Sequence, residues 1–328
     1  MSKNYITKSP VLLILFNRPE YFNQLINALR DVSVSELFIS IDAPRENNMV
    51  EDSKKISELL EMIKIKIDWD CEVKLKINDK NLGCGDGPKS AISWFFNNVD
   101  RGIILEDDCI PTTSFFLFSD TLLEKYEFDK DIWLISGDNG GPIVPPKYFG
   151  NKSYLFSRVP LTWGWATWKS VWDKYDEDLN YWQNDYFKKF FLLKGVSYST
   201  RTILISMFRN ADKVINKNFW DYQFYSTMLI NNGLGIIPKK NLIKNIGFDE
   251  NATHTKKVTF RSFAESFELE KIKHRNKILN NKKVDKIITY SVHTKVSKWI
   301  VDSPLLFLAP LIQFIIRLYR KITALLSF

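Results

Sequence analysis

The sequence predicts an α/β fold in which a mostly parallel sheet is covered by helices on both faces. In its first half, short apolar runs alternate with amphipathic stretches. The runs are mainly apolar, as expected for strands buried on both faces, and polar residues follow them directly. With 328 residues, 45% hydrophobic and 26% charged, the chain has a globular composition and suits one large domain with appendages or two domains.

Four predicted strands alternate with three predicted helices before the first acidic cluster. The strands are Val11–Phe16, Leu37–Ile41, Val73–Ile77 and Ile103–Leu105. The helices are indicated by apolar side chains at helical spacing after Pro19, from Ile56 to Ile63, and around Ala91–Phe96. Between the third strand and the third helix, Gly83–Gly87 predicts a flexible loop, with Pro88 as the first helical residue.

The second half of the chain is less regular. A short strand is predicted at Ile132–Ile135, a Trp-rich segment spans Trp163–Trp172, and another helix opens at Phe219-Trp220-Asp221. We predict one domain over residues 1–255, with a donor half of about 1–140 and an acceptor half of about 141–255. Residues 256–328 form a predicted helical extension.

Polar residues follow three of the predicted strands, at Asn17-Arg18, Asp42 and Glu106-Asp107-Asp108. Because the carboxyl ends of parallel strands meet at one edge of a sheet, these residues should converge on one crevice. Carboxylates at a fixed edge supply the hard oxygen ligands that divalent cations prefer. A solvated turn before Pro111 is the alternative, but this triplet adjoins a core strand.

The positive charge is concentrated at the C-terminal end. The whole chain carries +8, and residues 256–328 hold 15 Lys and Arg against 5 Asp and Glu, or +10, which leaves −2 for residues 1–255. This distribution argues against a nucleic-acid enzyme, whose basic charge would cover the working face. The three cysteines are too few and too irregularly spaced for a disulfide framework or a zinc site.

In the order of its motifs the chain resembles glycosyltransferases of the GT-A fold, over about Val11 to Thr255. The resemblance is strongest to inverting N-acetylglucosaminyltransferase I and to bacterial surface-glycan glycosyltransferases. It is carried by segments in a fixed order: Asn17-Arg18-Pro19, Ser40-Ile41-Asp42, Asn81-Leu82-Gly83, Glu106-Asp107-Asp108, Trp163-Gly164-Trp165, Phe219-Trp220-Asp221, and Asn245-Ile246-Gly247 followed by His254. The C-terminal extension has no counterpart in it.

This resemblance implies a nucleoside-diphosphate sugar donor, with a UDP-sugar favoured, and Mn²⁺ or Mg²⁺ as cofactor. Asp108 would be the metal ligand, with His254 as a late metal or diphosphate contact. The implied donor contacts are Asn17, Arg18, Asp42, Glu106, Asp107, Trp163 and Gly164. From the residues alone, Arg18 could also be a surface charge, Trp163 a core side chain, and His254 a structural or exposed histidine.

Asp221 is the candidate general base for direct displacement with inversion, which needs one carboxylate to take the proton of the acceptor hydroxyl. At a helix start it could equally be an N-cap. The family usually has a second acid at the next position, where this chain has Tyr222.

The extension ends in an apolar stretch, Leu305–Ile316, followed by Arg317, Arg320 and Lys321. It is shorter than the roughly 20 residues that span a bilayer. An interfacial helix on an anionic membrane surface is therefore expected, with a core-packing helix as the alternative. We expect a cytoplasmic, peripheral enzyme whose acceptor is a glycan or lipid-linked glycan, such as lipopolysaccharide or capsule. The alternatives are a sugar-phosphate nucleotidyltransferase and a non-catalytic sugar-nucleotide-binding protein.

Overall fold

The mainly apolar runs form the centre of a large sheet in the computed structural model, which describes residues 5–141, 144–179, 196, 204, 219–248 and 264–293. The strands are β1 Val11–Leu15, β2 Glu36–Ile41, β3 Glu72–Ile77, β4 Arg101–Glu106, β5 Cys109–Pro111, β6 Ile132–Ser136, β7 Tyr154–Ser157, β8 Trp165–Trp168, β9 Leu234–Pro238 and β10 Ile243–Asn245. The helices are α1 Pro19–Arg30, α2 Met49–Lys66, α3 Gly83–Phe96, α4 Thr113–Lys125, α5 Lys169–Trp172, α6 Asp221–Ile230 and α7 Lys282–His293.

Eight of these strands form one sheet in the order β3-β2-β1-β4-β8-β6-β9-β7. The pairings of β1 with β2 and β4, of β2 with β3, and of β6 with β9 are parallel, whereas β8 and β7 run antiparallel to their neighbours. The expected α/β architecture, a mostly parallel sheet flanked by helices, is confirmed. The remaining two strands, β5 and β10, pair antiparallel as a separate ribbon.

The core of the sheet supports the edge at which the strands β1 and β2 end. Leu12, Leu13, Leu37 and Ile39 are fully buried in the central strands, and each such side chain stabilises the fold by roughly 1.5–3 kcal/mol through burial. Helix α1 begins at Pro19, directly after β1, so the short link holding Asn17 and Arg18 stays at the carboxyl edge.

The segment Gly83–Gly87 is helical, which corrects the predicted flexible loop. Helix α3 begins at Gly83 and contains Pro88, which is therefore not its first residue. The reason is a tertiary contact that the sequence does not reveal: the Asp42 carboxylate accepts the backbone N–H groups of Leu82 and Gly83 at 3.0 and 2.9 Å. These two groups would otherwise be among the unsatisfied donors of a helix start.

The described part of the predicted extension packs against the sheet. Leu269 is buried in the main core, and Glu268 accepts the backbone N–H groups of Thr113 and Ser114 at the start of α4. In α7, the Asp285 carboxylate accepts a hydrogen bond from Ser157 Oγ at 2.8 Å.

The membrane-seated helix predicted at Leu305–Ile316 lies outside the described residues. Among the helices that the structure does describe, none combines the length and the apolar character that a membrane span requires.

Candidate active site

A cavity of about 470 Å³ opens at the carboxyl ends of β1, β2 and β4. It brings together six of the predicted site residues: Arg18, Asp42, Glu106, Asp107, Trp163 and Asp221. The other lining residues are Ile14, Leu15, Phe16, Ser40, Arg45, Asn78, Asn81, Gly83, Cys84, Gly87, Pro88, Thr162, Phe219, Trp220 and Tyr222. Asn17, Gly164 and Asp108 are not part of this lining, and His254 lies outside the described residues.

The acidic triplet occupies the tight turn between β4 and β5. Glu106 is the last residue of β4, and Cys109, the first residue of β5, is buried. Arg18 Nη1 donates a hydrogen bond to Asp107 Oδ1 at 2.9 Å and lies 3.5 Å from Asp108 Oδ2. One guanidinium thus bridges two acids of the triplet, which favours a charged, pocket-facing arginine over the surface alternative.

The triplet concentrates more negative charge than Arg18 offsets. Burial raises the pKa of Glu106 well above its usual range, and the neighbouring Asp108, Asp107 and Asp221 charges raise it further. Burial also raises the pKa of Asp107, although the Arg18 charge opposes the rise. A divalent cation would relieve this repulsion because it supplies the missing positive charge.

The donor set fits such a cation only together with substrate oxygens. Within the described residues, no three His, Cys, Asp or Glu side chains are grouped so that they could hold an ion by themselves. Mg²⁺ and related ions are usually bound by one or two carboxylates plus substrate phosphates. Asp107, which lines the cavity, and the adjacent Asp108 match that mode.

The chain segment that leads towards His254 runs against Asp108. Strand β10 pairs with β5 so that Asn245 is opposite Cys109, and the Ile246 N–H donates to the Asp108 carbonyl at 2.9 Å. A Cβ atom at Gly247 would lie 2.1 Å from Asp108 Oδ2. Glycine at this position therefore lets the backbone approach the predicted metal ligand.

Asp42 fastens several loops of the pocket together. Its carboxylate accepts the Leu82 and Gly83 N–H groups described above, its own neighbour Ala43 N–H at 3.0 Å, and Asn78 Nδ2 at 2.9 Å. Both oxygens thus accept hydrogen bonds from protein donors. A carboxylate has about four lone-pair positions, so little acceptor capacity remains for a substrate. Asp42 lines the cavity, yet its observed contacts hold the pocket wall in place.

A second acid near the pocket was missed by the sequence analysis. Asp52, in α2, is fully buried and accepts hydrogen bonds from Arg45 Nε and Nη2, both at 2.8 Å, and from Asn17 Nδ2 at 2.7 Å. The Arg45 guanidinium is the main reason why the pKa of Asp52 lies far below its usual range. Asn17 therefore anchors Asp52, and Asp52 in turn orients Arg45, which lines the cavity. The only sequence signal for Asp52 is that a polar residue interrupts the apolar spacing of α2.

Asp221 stands apart from the triplet, at the first position of α6. The N-cap of this helix is Trp220, so the N-cap alternative does not hold; Asp221 Oδ1 accepts the N–H of Tyr222 at 3.0 Å. Burial raises its pKa to about 6, against the lowering effect of that hydrogen bond. No basic side chain in the described part of the chain contributes to this shift, so Asp221 is a carboxylate suited to accept a proton near neutral pH.

A wall of aromatic rings supports the start of α6. Trp220 stacks on Trp165, with ring centroids 5.6 Å apart and planes 19° apart, and Trp165 also contacts Phe224 at 5.2 Å. Trp165 and Trp168 are buried in the core, whereas Trp163 is partly exposed, lines the cavity and meets Phe248 edge to face at 5.5 Å.

Gly164 has a packing role beside the pocket. Its φ is +60°, and a Cβ atom there would lie 2.5 Å from Ile243 Cδ1. A side chain would thus push against β10, the strand that leads to Asp108.

No family model matches the chain, and no curated protein matches it. Among solved structures it is similar to HddC from Yersinia pseudotuberculosis, with 14% identity, a TM-score of 0.30, and coverage of 50% of this chain and 78% of that one. It is also similar to a Bacillus anthracis protein named as a candidate glucose-1-phosphate thymidylyltransferase, with 12% identity, a TM-score of 0.25, and coverage of 50% and 73%. These similarities are distant, and neither assigns an activity to this chain.

Proposed function

We propose that this protein is an inverting glycosyltransferase that moves a sugar from a nucleoside diphosphate to a hydroxyl of an acceptor. The observation that carries this proposal is the division of one cavity between two acidic regions. A bridged acidic triplet lies at the end of β4, and a separate carboxylate, Asp221, begins α6. Single displacement needs a site for the leaving diphosphate and a base for the attacking hydroxyl.

The donor region would bind the nucleoside diphosphate along the carboxyl ends of β1, β2 and β4. Asp107 and Asp108, held by Arg18, would bind Mn²⁺ or Mg²⁺ together with the diphosphate oxygens. That ion, when bound, supplies positive charge to the leaving group. Arg45, oriented by Asp52, adds a fixed cation to the wall formed with Asn78 and Asn81.

The acceptor region would be the aromatic end of the cavity, formed by Trp163, Phe219 and Tyr222 around Asp221. In the proposed step, the acceptor hydroxyl oxygen forms a bond to the anomeric carbon, and the bond from that carbon to the diphosphate oxygen breaks. The hydroxyl proton passes to the Asp221 carboxylate, and the nucleoside diphosphate leaves with the bonding electron pair. The configuration at the anomeric carbon is inverted.

A sugar-phosphate nucleotidyltransferase is the second candidate, since it shares a sheet of this kind. Such an enzyme normally has a Gly-rich loop with Arg and Lys after its first strand. Here β1 ends at Leu15 and α1 begins at Pro19, so only Phe16, Asn17 and Arg18 lie between them. This short link favours the glycosyltransferase. A protein that binds sugar nucleotides without turnover is the third candidate.

We further propose a glycan or lipid-linked glycan of the bacterial surface as acceptor, with the enzyme peripheral on the cytoplasmic face of the membrane. The basic C-terminal extension supports this placement because cationic, apolar segments bind anionic lipid.

The test is a donor screen with purified full-length protein, with and without Mn²⁺, that measures both nucleoside diphosphate and pyrophosphate. A glycosyltransferase releases nucleoside diphosphate from its donor, and Asp108→Ala should reduce that release by about 100-fold or more if it removes a metal ligand. Pyrophosphate formed from a nucleoside triphosphate and a sugar phosphate would instead establish the nucleotidyltransferase. Binding of a sugar nucleotide without either product would support the non-catalytic protein.

An Asp108→Ala protein with full metal-dependent turnover would refute the metal assignment. The matched control is Asp86→Ala, which removes an exposed carboxylate near the start of α3 that forms an ion pair with Lys89. It should leave donor turnover within about twofold, since surface ion pairs contribute little.

A further inference from the structure

We propose that five lysines near the outer strand β7 form a docking surface for an anionic phospholipid bilayer. These residues, the lysine cluster, are Lys152, Lys239, Lys271, Lys273 and Lys277. The proposal adds a lipid contact on the described domain to the membrane placement proposed above for the C-terminal extension. It does not depend on the proposed sugar transfer, because it concerns a binding surface and not the reaction.

Backbone hydrogen bonds around Ser153 draw three separate parts of the chain together. Ser153 N–H donates to the Lys273 carbonyl at 3.0 Å, and Ser153 Oγ donates to the Lys271 carbonyl at 3.1 Å. The Lys239 N–H donates to the Ser153 carbonyl at 2.8 Å. Lys152, Lys239, Lys271 and Lys273 are therefore neighbours, although they come from distant positions in the sequence.

The charges of the cluster are not neutralised by nearby acids. None of the five lysines forms an ion pair with another described residue. Of the acids in the same segment, Glu268 is engaged at the start of α4 and Asp285 is buried against Ser157. Glu270 is exposed beside Lys271 and leaves a clear excess of positive charge.

His274 lies within the field of this surface. Burial lowers its pKa, and the charges of Lys125 and Lys152 lower it further. Like charges packed this closely repel one another, so an anionic partner would be favoured by charge complementarity.

Four members of the lysine cluster, Lys152, Lys239, Lys271 and Lys273, lie at the same edge of the sheet as the cavity. Tyr154, the first residue of β7, pairs with Pro238 at the carboxyl end of β9, and β9 runs parallel to β6. Four strand spacings separate β4 from β7 in the sheet order, or roughly 19 Å at about 4.8 Å per spacing. A membrane that contacts the cluster would thus lie beside the opening of the cavity.

Two features favour a lipid partner over the alternatives. Leu279 is 68% exposed, two residues after Lys277 and three before Lys282 in the sequence, and an exposed apolar side chain in a cationic segment is suited to a lipid headgroup layer. Lysines often protect an exposed edge strand from pairing with another chain, but that role does not explain this cluster. The edge of β7 is already covered by residues 271–280, through Arg275 Nε to the Tyr154 carbonyl at 2.7 Å and a bridge between Phe156 and Asn280.

The test compares two triple variants of the full-length protein in vesicle co-sedimentation. The cluster variant is Lys152→Gln, Lys271→Gln and Lys273→Gln. The control is Lys54→Gln, Lys64→Gln and Lys80→Gln, which removes the same charge from α2 and the loop after β3, at the opposite side of the sheet. Vesicles contain phosphatidylcholine alone or with phosphatidylglycerol.

We expect the cluster variant to lose about tenfold or more in its partition onto phosphatidylglycerol vesicles, because each interfacial lysine adds to lipid attraction. The control should stay within about twofold of the unchanged protein, and sugar transfer to a soluble acceptor should be equal in all three. If the triple variant is destabilised, the Lys271→Gln, Lys273→Gln pair replaces it, since those side chains form no hydrogen bond with another described residue.

Equal binding by the cluster and control variants would overturn the proposal. So would equal binding to phosphatidylcholine alone, or tighter binding of a DNA duplex than of anionic vesicles. Because soluble transfer is measured separately, a failure of this proposal is distinguishable from a failure of the proposed chemistry.

Discussion

Two acids of the pocket, Asp42 and Asp221, differ in what their oxygens already accept. Asp42 takes hydrogen bonds from three backbone N–H groups and the Asn78 side chain, so it is occupied by its own protein. Asp221 accepts the Tyr222 N–H through one oxygen. A carboxylate can take a substrate proton only through an oxygen that is not already committed, which makes Asp221 the better base.

We predict that sugar transfer rises with pH through about 6 and then levels off. Burial raises the pKa of Asp221 to about 6, and only the ionised carboxylate can accept the hydroxyl proton. Asp221→Asn should lower kcat by about 100-fold or more with little change in donor affinity. The measurement is kcat between pH 5 and about 8 with saturating donor and Mn²⁺. A pH-independent rate in this range would argue against Asp221 as the base.

Thermal unfolding of the same variant gives an independent check. An acid whose folded pKa is raised stabilises the fold below its unfolded pKa and loses that contribution as the pH rises through the folded value. Asp221→Asn removes this loss. The variant should therefore gain in Tm, relative to the unchanged protein, as the pH rises from below 4 to 7. A Tm difference that does not vary with pH would contradict the raised pKa.

Asp42→Asn should lower the stability of the pocket wall, and this loss should be larger than any direct effect on donor affinity. An amide nitrogen would face the N–H groups of Leu82 and Gly83, and loss of such buried bonds costs about 1–3 kcal/mol. Urea unfolding would measure the loss of stability, and calorimetry with the donor would measure affinity. Asp79→Asn, at an exposed position on the same loop, is the control. A stable variant with weak donor binding would instead indicate a direct contact.

At the scale of elements, the β5–β10 ribbon connects the acidic triplet to the Trp-rich segment. Ile243, in β10, lies against Gly164, and Asn245, at its end, is opposite Cys109. A substitution at Gly164 should therefore shift β10 and, through it, the position of Asp108. The two residues themselves lie in different segments of the chain.

Gly164→Ala should destabilise the protein and weaken metal-dependent turnover. The residue has φ +60°, and the new Cβ atom would lie 2.5 Å from Ile243 Cδ1. Gly150→Ala is a matched control, because Gly150 has φ +59° and a Cβ atom there would meet nothing within 4 Å. The difference in unfolding free energy between the two variants isolates the clash, for which we expect about 1–3 kcal/mol. Equal losses would mean that the backbone strain dominates.

The sequence predicted the elements whose signal is local. Mainly apolar runs indicated β1, β2, β3, β4 and β6, and the polar residues after β1, β2 and β4 indicated the edge at which the cavity lies. The predicted start of α3 was wrong because the true start depends on a contact with Asp42, which is 41 residues from Gly83. The ribbon was missed because its strands have three residues each, too few to show a period.

The roles of Asn17 and Asp52 could not be predicted for a similar reason. Asn17 follows a strand, as a donor contact would, but its amide is held by an acid 35 positions away. Hydrogen bonds over such separations leave no pattern in the sequence. By contrast, Arg18 and the triplet were correctly expected to meet, since both follow parallel neighbouring strands.

At the scale of the whole molecule, excess acid in the cavity should make stability depend on ligands. We predict that a UDP-sugar and Mn²⁺ together raise Tm clearly, while either alone raises it much less. Stabilisation by about 2.7 kcal/mol is expected when the free ligand exceeds its Kd 100-fold. Differential scanning fluorimetry measures this, with Asp108→Ala as the variant in which the joint effect should disappear. An equal rise with the sugar nucleotide alone would indicate a metal-independent donor site.

The contact between Asp108 and Asn245 also determines when the site can exist during synthesis. These residues are 137 positions apart, and the strands β5 and β10, which align them, lie at the two ends of that interval. Distant pairings form slowly because the intervening chain must first be closed into a loop. A nascent chain that has emerged only as far as the acidic triplet has the acids but not the ribbon that positions them. The acidic edge of the cavity is therefore completed late in folding, after the β5–β10 ribbon has paired.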